Sequence, residues 1–407
     1  MKKLTFIFVA LCIVACAIRA QDKLPIVYSN DYNISFYGLE KTTPFDTAKY
    51  GKVAAALKKR FGKDFYTPTR AITDAELLTV HDAAYLKTLR DRFIVARIAE
   101  NSLLIAFPIS VIEKKLLYPM KLATRGTIEA AELAYGNKRW AINLSGGYHH
   151  AERETGDGFC FFADIPLAMN VLWAKDPNLR IFYIDTDAHQ GNGVETIFKD
   201  KLKHAQASPK DTQLVVFDIF SDKDYPEEPV ERSYFDVMLV KLFKQIGYHD
   251  PTEDIKKRVA EIRPFIQYKY PLHVSKSRPT NTETYLNSTY ILISDLMLEY
   301  QKAQKDEKPL VIFYNAGTDP FSGDPVAWLG VSKEGIIERD YQIWKFAHDH
   351  KIPIIMTLSG GYSYESADII ADSITNILTK VWGYEQLEQP AQTPKPSMWN
   401  WLFWWRK

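Results

Sequence analysis

The sequence predicts one α/β domain: a mainly parallel β-sheet with helices on both faces and its functional site at the carboxyl ends of the strands. Three observations predict it. Short apolar, β-prone runs alternate with amphipathic helical stretches along the chain, which is the rhythm of an open parallel sheet. The run Ile181-Phe-Tyr-Ile184 is apolar throughout, as suits a strand buried on both faces. The unusual polar clusters at 145–150, 185–193, 315–324 and 359–362 each follow such a run, and open α/β sheets bind ligands at that end.

Leu24 to Ser29 reads as the first strand, and 48–59 as a helix with Val53 and Leu57 on one face. Thr73 and Glu76 have the spacing of a capping box, Thr73 as N-cap and Glu76 three residues on. Residues 84–106 carry apolar residues at helical spacing. Tyr118–Tyr135 reads as a helix stopped by Gly136-Asn137. Strands are then expected at 140–144, 180–184, 213–217, 309–314 and 352–358, with helices at 164–174, 332–350 and 366–381. The stretch from Tyr225 to about Pro271 is long, charged and irregular. It reads as a helical excursion near the site.

A chain of 407 residues, 46% hydrophobic and 13% aromatic, can bury a large core. At a net charge of +1 it lacks the basic excess of nucleic-acid binders, and no direct nucleic-acid binding is expected. Lys2 and Lys3 precede an apolar run from Leu4 to Ile18, the pattern of an export signal with cleavage after Ala20. An uncleaved anchor is the alternative, although the run is shorter than the roughly 20 residues a span needs. Ile13-Val-Ala-Cys16 also has the form of a lipoprotein box that would lipidate Cys16, and the two fates stay open. Either way the protein is expected outside the cytosol. Of Cys12, Cys16 and Cys160 only Cys160 survives cleavage, so no internal disulfide is expected. The expected organisation is a signal at 1–20, a catalytic domain at 22–388 and a Pro/Trp-rich tail at 389–407. The tail's Met398-Trp-Asn-Trp-Leu-Phe-Trp-Trp405 is too short to span a bilayer and suits a membrane interface, a protein groove or a return onto the domain.

The chemistry gathers after the strand at 180–184. Asp185, Asp187 and His189 stand at i, i+2 and i+4, so an extended backbone would point all three the same way. Two carboxylates and an imidazole can hold a divalent cation such as zinc. The plain alternative is a polar strand end capping a helix. A hydrolytic metal needs a third ligand, and Asp319, stiffened by Pro320, is the best candidate. The tandem His149-His150 behind Gly146-Gly147 suits acid–base work. Tyr362, behind Gly360-Gly361, can donate its phenol hydrogen to a developing oxyanion.

Together, Gly-Gly-Tyr-His149-His150, Gly158-Phe-Cys160, Asp185-x-Asp187-x-His189-Gln-Gly-Asn-Gly193, Asn315-Ala-Gly-Thr-Asp319 and Ser359-Gly-Gly-Tyr362 resemble the histone deacetylase family. The similarity is closest to class IV, through Gly38-Leu-Glu-Lys, Pro44-Phe-Asp46, Asp164-Ile and Asn315-Ala-Gly-Thr-Asp319, and it covers about residues 24–385. The resemblance implies an arginase/deacetylase-like fold and zinc-dependent hydrolysis of acyl-lysine. It implies one zinc on Asp187, His189 and Asp319, and a potassium ion near Asp185. It implies His150 as general base and then acid, tuned by Asn192, and His149 as its electrostatic partner oriented by Asp185. Tyr362 would stabilise the oxyanion, while Gly158, Phe159, Tyr225 and Gly361 would contact the acyl-lysine. Asn192 replaces the Asp of many relatives, as class IV members do. Thr43 departs from the His that class IV members commonly carry before Pro-Phe-Asp. Competing readings are a deacetylase of acetylated polyamines, with Glu227, Glu228 and Glu231 as acidic rim, and a catalytically silent secreted binding module. A dimanganese ureohydrolase wants more bridging carboxylates than these loops carry.

Overall fold

The computed structural model describes residues 23–38, 46–222, 252–274 and 279–387. The expected export signal, Cys16, Thr43, Tyr225, the glutamates at 227–231 and the Trp-rich tail lie outside these residues. Among the described residues no helix is long and apolar enough to cross a membrane.

Eight strands form one sheet: β1 Lys23–Val27, β2 Asp64–Tyr66, β3 Trp140–Asn143, β4 Arg180–Asp185, β5 Leu214–Ser221, β6 Tyr268–Leu272, β7 Leu310–Asn315 and β8 Ile354–Thr357. Their order is β2-β1-β3-β8-β7-β4-β5-β6, and every pairing is parallel. The five inner strands from β3 to β5 are buried at every position. That explains their continuous Val, Ile and aromatic runs, because a strand covered on both faces has no polar side to alternate with. The Tyr118–Asn137 helix packs on β3 and against the Asp164–Lys175 helix. The Lys49–Phe61, Ser366–Lys380, Lys333–Asp349 and Thr282–Lys305 helices pack side by side in a second layer. The expected α/β architecture is the one observed.

Three local readings need correction, and one helix was not expected. Residues 84–106 are three short helices, Ala83–Thr88, Arg92–Ile98 and a 3-10 turn at Ser102–Ala106. The side chains of Asp91 and Asn101 accept the amides of Phe93 and Leu103. These local bonds restart the helix twice despite the apolar spacing. The Tyr118–Asn137 helix runs through Gly136, and Lys138 takes the left-handed cap at φ 50°. The excursion before Pro271 contains the Thr252–Ile262 helix but ends in β6, which pairs with β5 alone. Pro271 is tolerated there because an edge strand has an unshared side. Finally, Thr282–Lys305, the longest helix described, had no expected counterpart. Its start is capped by Asn281, which accepts the Thr284 amide at 2.8 Å.

The capping box at Thr73 is present. Thr73 Oγ1 accepts the Glu76 amide at 3.3 Å, and Glu76 Oε2 accepts the Thr73 amide at 2.9 Å. Thr73→Ala is expected to cost about 1 kcal/mol of stability, read as a lower urea midpoint at unchanged m-value.

Candidate active site

The site sits where β3, β8, β7 and β4 end. Their register aligns Asp185 with Asn315, and Asn315 with Thr357. The loops after these strands therefore leave the sheet side by side. The loop after β4 does not stay extended. Asp185 Oδ1 accepts the Asp187 amide at 3.1 Å, and Asp187 Oδ1 accepts the His189 amide at 3.1 Å. Two consecutive Asp side chains thus fold the backbone back on itself. Asp185 is turned away from the other two, contrary to the period-2 expectation. It accepts from Tyr183 Oη and from Asn315 Nδ2, the latter at 3.1 Å, and faces His149 Nδ1 at 2.9 Å.

Asp187 and His189 are joined instead by Asp319 from the loop after β7. Ligand atoms of the three lie within 4.8 Å of one another, and all three residues are buried. His189 Nδ1 is 3.1 Å from a carboxylate oxygen of each Asp. Burial, and then the charge of Asp187, push the Asp319 carboxyl well above the usual carboxylate range. Two buried carboxylates converging with an imidazole nitrogen are a poor arrangement without positive charge between them and a good donor set for a divalent cation. The surrounding bonds aim the donors. Asp187 Oδ2 accepts from Ser359 Oγ and the Gly360 amide at 2.8 Å, and Asp319 Oδ1 accepts the Ala188 amide at 2.9 Å. Gly360 must be glycine, since a Cβ there would come within 2.4 Å of Asp319 and 2.6 Å of Asp187.

The tandem histidines follow β3. Asp164, at the start of its helix, accepts the amides of Gly147 and Tyr148 at 2.9 Å each and holds this loop in place. The centres of the two imidazole rings stand 4.0 Å apart, but their environments separate them. Burial opposes the charge on His149, yet Asp185 and Asp187 outweigh it and raise this imidazole to about 9. His150 Nδ1 faces an amide oxygen, Asn192 Oδ1, at 2.7 Å. Burial, and then the neighbouring His149 and His189, push His150 well below its ordinary value. One ring is thus suited to hold a proton and the other to accept one. Gly193 lets the two loops meet, because a Cβ there would fall 2.4 Å from the Ala151 carbonyl and 2.6 Å from that of His149.

Tyr362 lies half-buried across a narrow cavity from Phe159, their ring centres 5.9 Å apart. The cavity is lined by Tyr50, His149, His150, Gly158, Phe159 and Tyr362. Burial, followed by the charges of Asp187 and Asp319, pushes the Tyr362 phenol up, so it stays a hydrogen-bond donor. Gly361, at φ 127°, takes a conformation that favours glycine. Of the expected site residues, Tyr225 is the one outside the described residues; the others named above converge on this cavity or stand directly behind it.

Several supporting residues escaped the sequence reading. Lys49, fully buried, donates to the carbonyls of Ser359 at 2.9 Å and Gly361 at 3.3 Å, and burial lowers its ammonium to about 8. Asp324 accepts the Tyr362 amide at 2.7 Å. Arg339 Nη1 donates to the carbonyls of Thr186 at 3.1 Å and Gly317 at 2.8 Å, tying the loops of Asp187 and Asp319 to one helix. Glu152 accepts from Asn192 Nδ2 at 3.0 Å and from Arg258 Nε at 2.6 Å. The position of Glu152 directly after His-His-Ala was a signal that could have been followed. Lys49 and Arg339 sit inside helices and carry no local mark.

The histone deacetylase domain family matches residues 43–378. Histone deacetylase 2 of Arabidopsis thaliana is 36% identical over 362 residues, which are 88% of this chain and 79% of the plant protein. Histone deacetylase 2 of Oryza sativa subsp. japonica is 27% identical over 238 residues, 58% of this chain and 36% of the rice protein. A solved structure of an HDAC homologue complexed with SAHA aligns with a TM-score of 0.59 over 89% of this chain and 85% of that one, at 19% identity, a likeness of fold.

Proposed function

The chain belongs to the histone deacetylase family, and we propose that it hydrolyses the amide of acylated lysine side chains with zinc held by Asp187, His189 and Asp319. The observation that carries this reading is the convergence of those three donors within 4.8 Å, behind a cavity that His150 and Tyr362 line together with Gly360, whose amide Asp187 accepts. A zinc ion bound there would supply a Lewis acid for the carbonyl and an acidified water. His150, neutral at working pH, takes the proton of the attacking water at Nε2 and delivers it to the leaving lysine nitrogen. His149, kept charged by Asp185, adds positive field beside the reacting carbonyl. The Tyr362 phenol donates to the oxygen that gains charge, and Phe159 with Gly158 walls the aliphatic part of the lysine.

Asn192 and Asn315-Ala-Gly-Thr-Asp319 support a class IV affinity within the family. Lys2-Lys3 with the Leu4–Ile18 run supports export, with 22–388 as the catalytic domain and the 389–407 tail as a contact for a membrane surface. Potassium beside Asp185 is the second ion of the reading.

The test is one assay on one sample. Acetyl- and myristoyl-lysine peptides and acetylspermidine are offered to the protein, and its metal content is measured. We expect turnover of a lysine peptide that a chelator abolishes and zinc restores. Turnover of acetylspermidine alone, or hydrolysis indifferent to the chelator, overturns the proposal.

A further inference from the structure

An amide beside a catalytic histidine is ambiguous in a way that a carboxylate is not. Asn192 can turn either its oxygen or its NH2 group toward His150 Nδ1. With oxygen inward, the ring carries its proton on Nδ1 and offers Nε2 as the base. With NH2 inward, Nδ1 must be the acceptor and the proton moves to Nε2, the wrong tautomer for the reaction. Something has to choose, and two further residues are placed to do it. Glu152, 3% exposed, accepts from Asn192 Nδ2 at 3.0 Å on one oxygen and from Arg258 Nε at 2.6 Å on the other. An ionised carboxylate only accepts hydrogen bonds. It therefore holds the NH2 group of Asn192 on its own side and leaves Oδ1 facing His150, at 2.7 Å.

Resting on the reading of His150 as base, we propose that Glu152, clamped by Arg258, is a positioning residue that fixes the amide of Asn192 and through it the tautomer of His150. Arg258 comes from the Thr252–Ile262 helix, so that helix reaches the base through three side chains, Arg258, Glu152 and Asn192. Its charge matters because burial pushes Glu152 up to about 7, with Arg258 pulling the other way and Asp157 adding to the rise.

Glu152→Gln keeps the shape but restores the ambiguity, since the new amide can donate to Asn192 as well as accept. It is expected to lower kcat about 10- to 100-fold, the usual cost of losing an outer partner of a catalytic group, with KM and bound zinc unchanged. Arg258→Met is expected to lower kcat in the same direction. The decisive variant is the double one. In Glu152→Gln/Asn192→Asp an aspartate accepts from His150 without ambiguity while the introduced glutamine amide donates to that aspartate, and kcat is expected to recover most of the loss. A general packing defect would make the double variant worse. The same question is read without substrate by 15N NMR of the zinc-loaded protein. His150 is expected as the Nδ1-protonated tautomer in the wild type and as a mixture in Glu152→Gln. The inference is overturned if Glu152→Gln keeps kcat within about two-fold, if the double variant gains nothing over the single one, or if the ring tautomer is the same in both proteins. An Arg258→Met variant with wild-type kcat removes Arg258 from it. Failure of the wild type on every acyl-lysine peptide strikes the proposed function instead, and the NMR comparison still decides the tautomer.

Discussion

Asp187→Ala is expected to remove hydrolysis of acyl-lysine peptides by about three orders of magnitude or more, because a Lewis acid contributes several kcal/mol to the barrier. Among the described residues two carboxylates and one imidazole make up the donor set, and deleting one leaves too few ligands to retain zinc. The folded chain itself should tolerate the change. Asp187 and Asp319 oppose each other in a buried site, and Asp319 is raised partly by that repulsion. Removing one of them relieves the cost of confining like charges, against the loss of the acceptor for Ser359 and Gly360. The separating measurement is thermal unfolding with and without zinc. A ligand that binds the native state raises the transition temperature by mass action. The wild type should show that rise and Asp187→Ala should not, while their zinc-free transitions stay close. An equal rise in both proteins would place the ion elsewhere.

His150→Ala is expected to lower kcat by about 10²- to 10⁴-fold, the range for a positioned proton carrier, with zinc content unchanged because His150 is not one of the converging donors. The pH profile gives a second check. Burial and two neighbouring imidazoles hold His150 well below its ordinary value, and a cation on Asp187, His189 and Asp319 acts in the same direction. An imidazole with a depressed pKa in the folded protein stays neutral as pH falls past about 6.5, where a free one would charge. The acid limb of kcat/KM assigned to His150 should therefore lie below that value. The same group costs stability in acid, because the unfolded chain takes up the proton first as pH drops through about 6.5. His150→Ala should remove that part of the acid destabilisation. A limb at or above the ordinary imidazole pKa, or a variant with near-normal kcat, would take the role of base away from His150.

Much of this architecture is legible in the sequence for a simple reason. Inner strands of a parallel sheet are covered on both faces and so are mostly apolar, which makes Ile181–Ile184, Leu214–Phe217 and Leu310–Tyr314 announce themselves, and the polar residues that follow them mark one end of the sheet. Where a local side chain competes with the helix backbone, periodicity misleads, as Asp91 and Asn101 show. Where a strand lies at an edge, its pattern is mixed, and β6 with Pro271 reads as irregular in the sequence.

What the sequence determined alone is the set of segments and the end of the sheet at which Asp187, His189, Asp319, His149, His150 and Tyr362 are delivered. What only the tertiary structure decided is which way each side chain faces and what stands behind it. Asp185 turns to His149 rather than to the donor cluster because its own carboxylate bends the backbone after β4. Lys49 meets the Ser359 carbonyl 310 residues away, and Glu152 meets Arg258 across 106. Such bonds satisfy buried polar groups between elements that become neighbours only on folding, and no spacing within a single helix or loop encodes them.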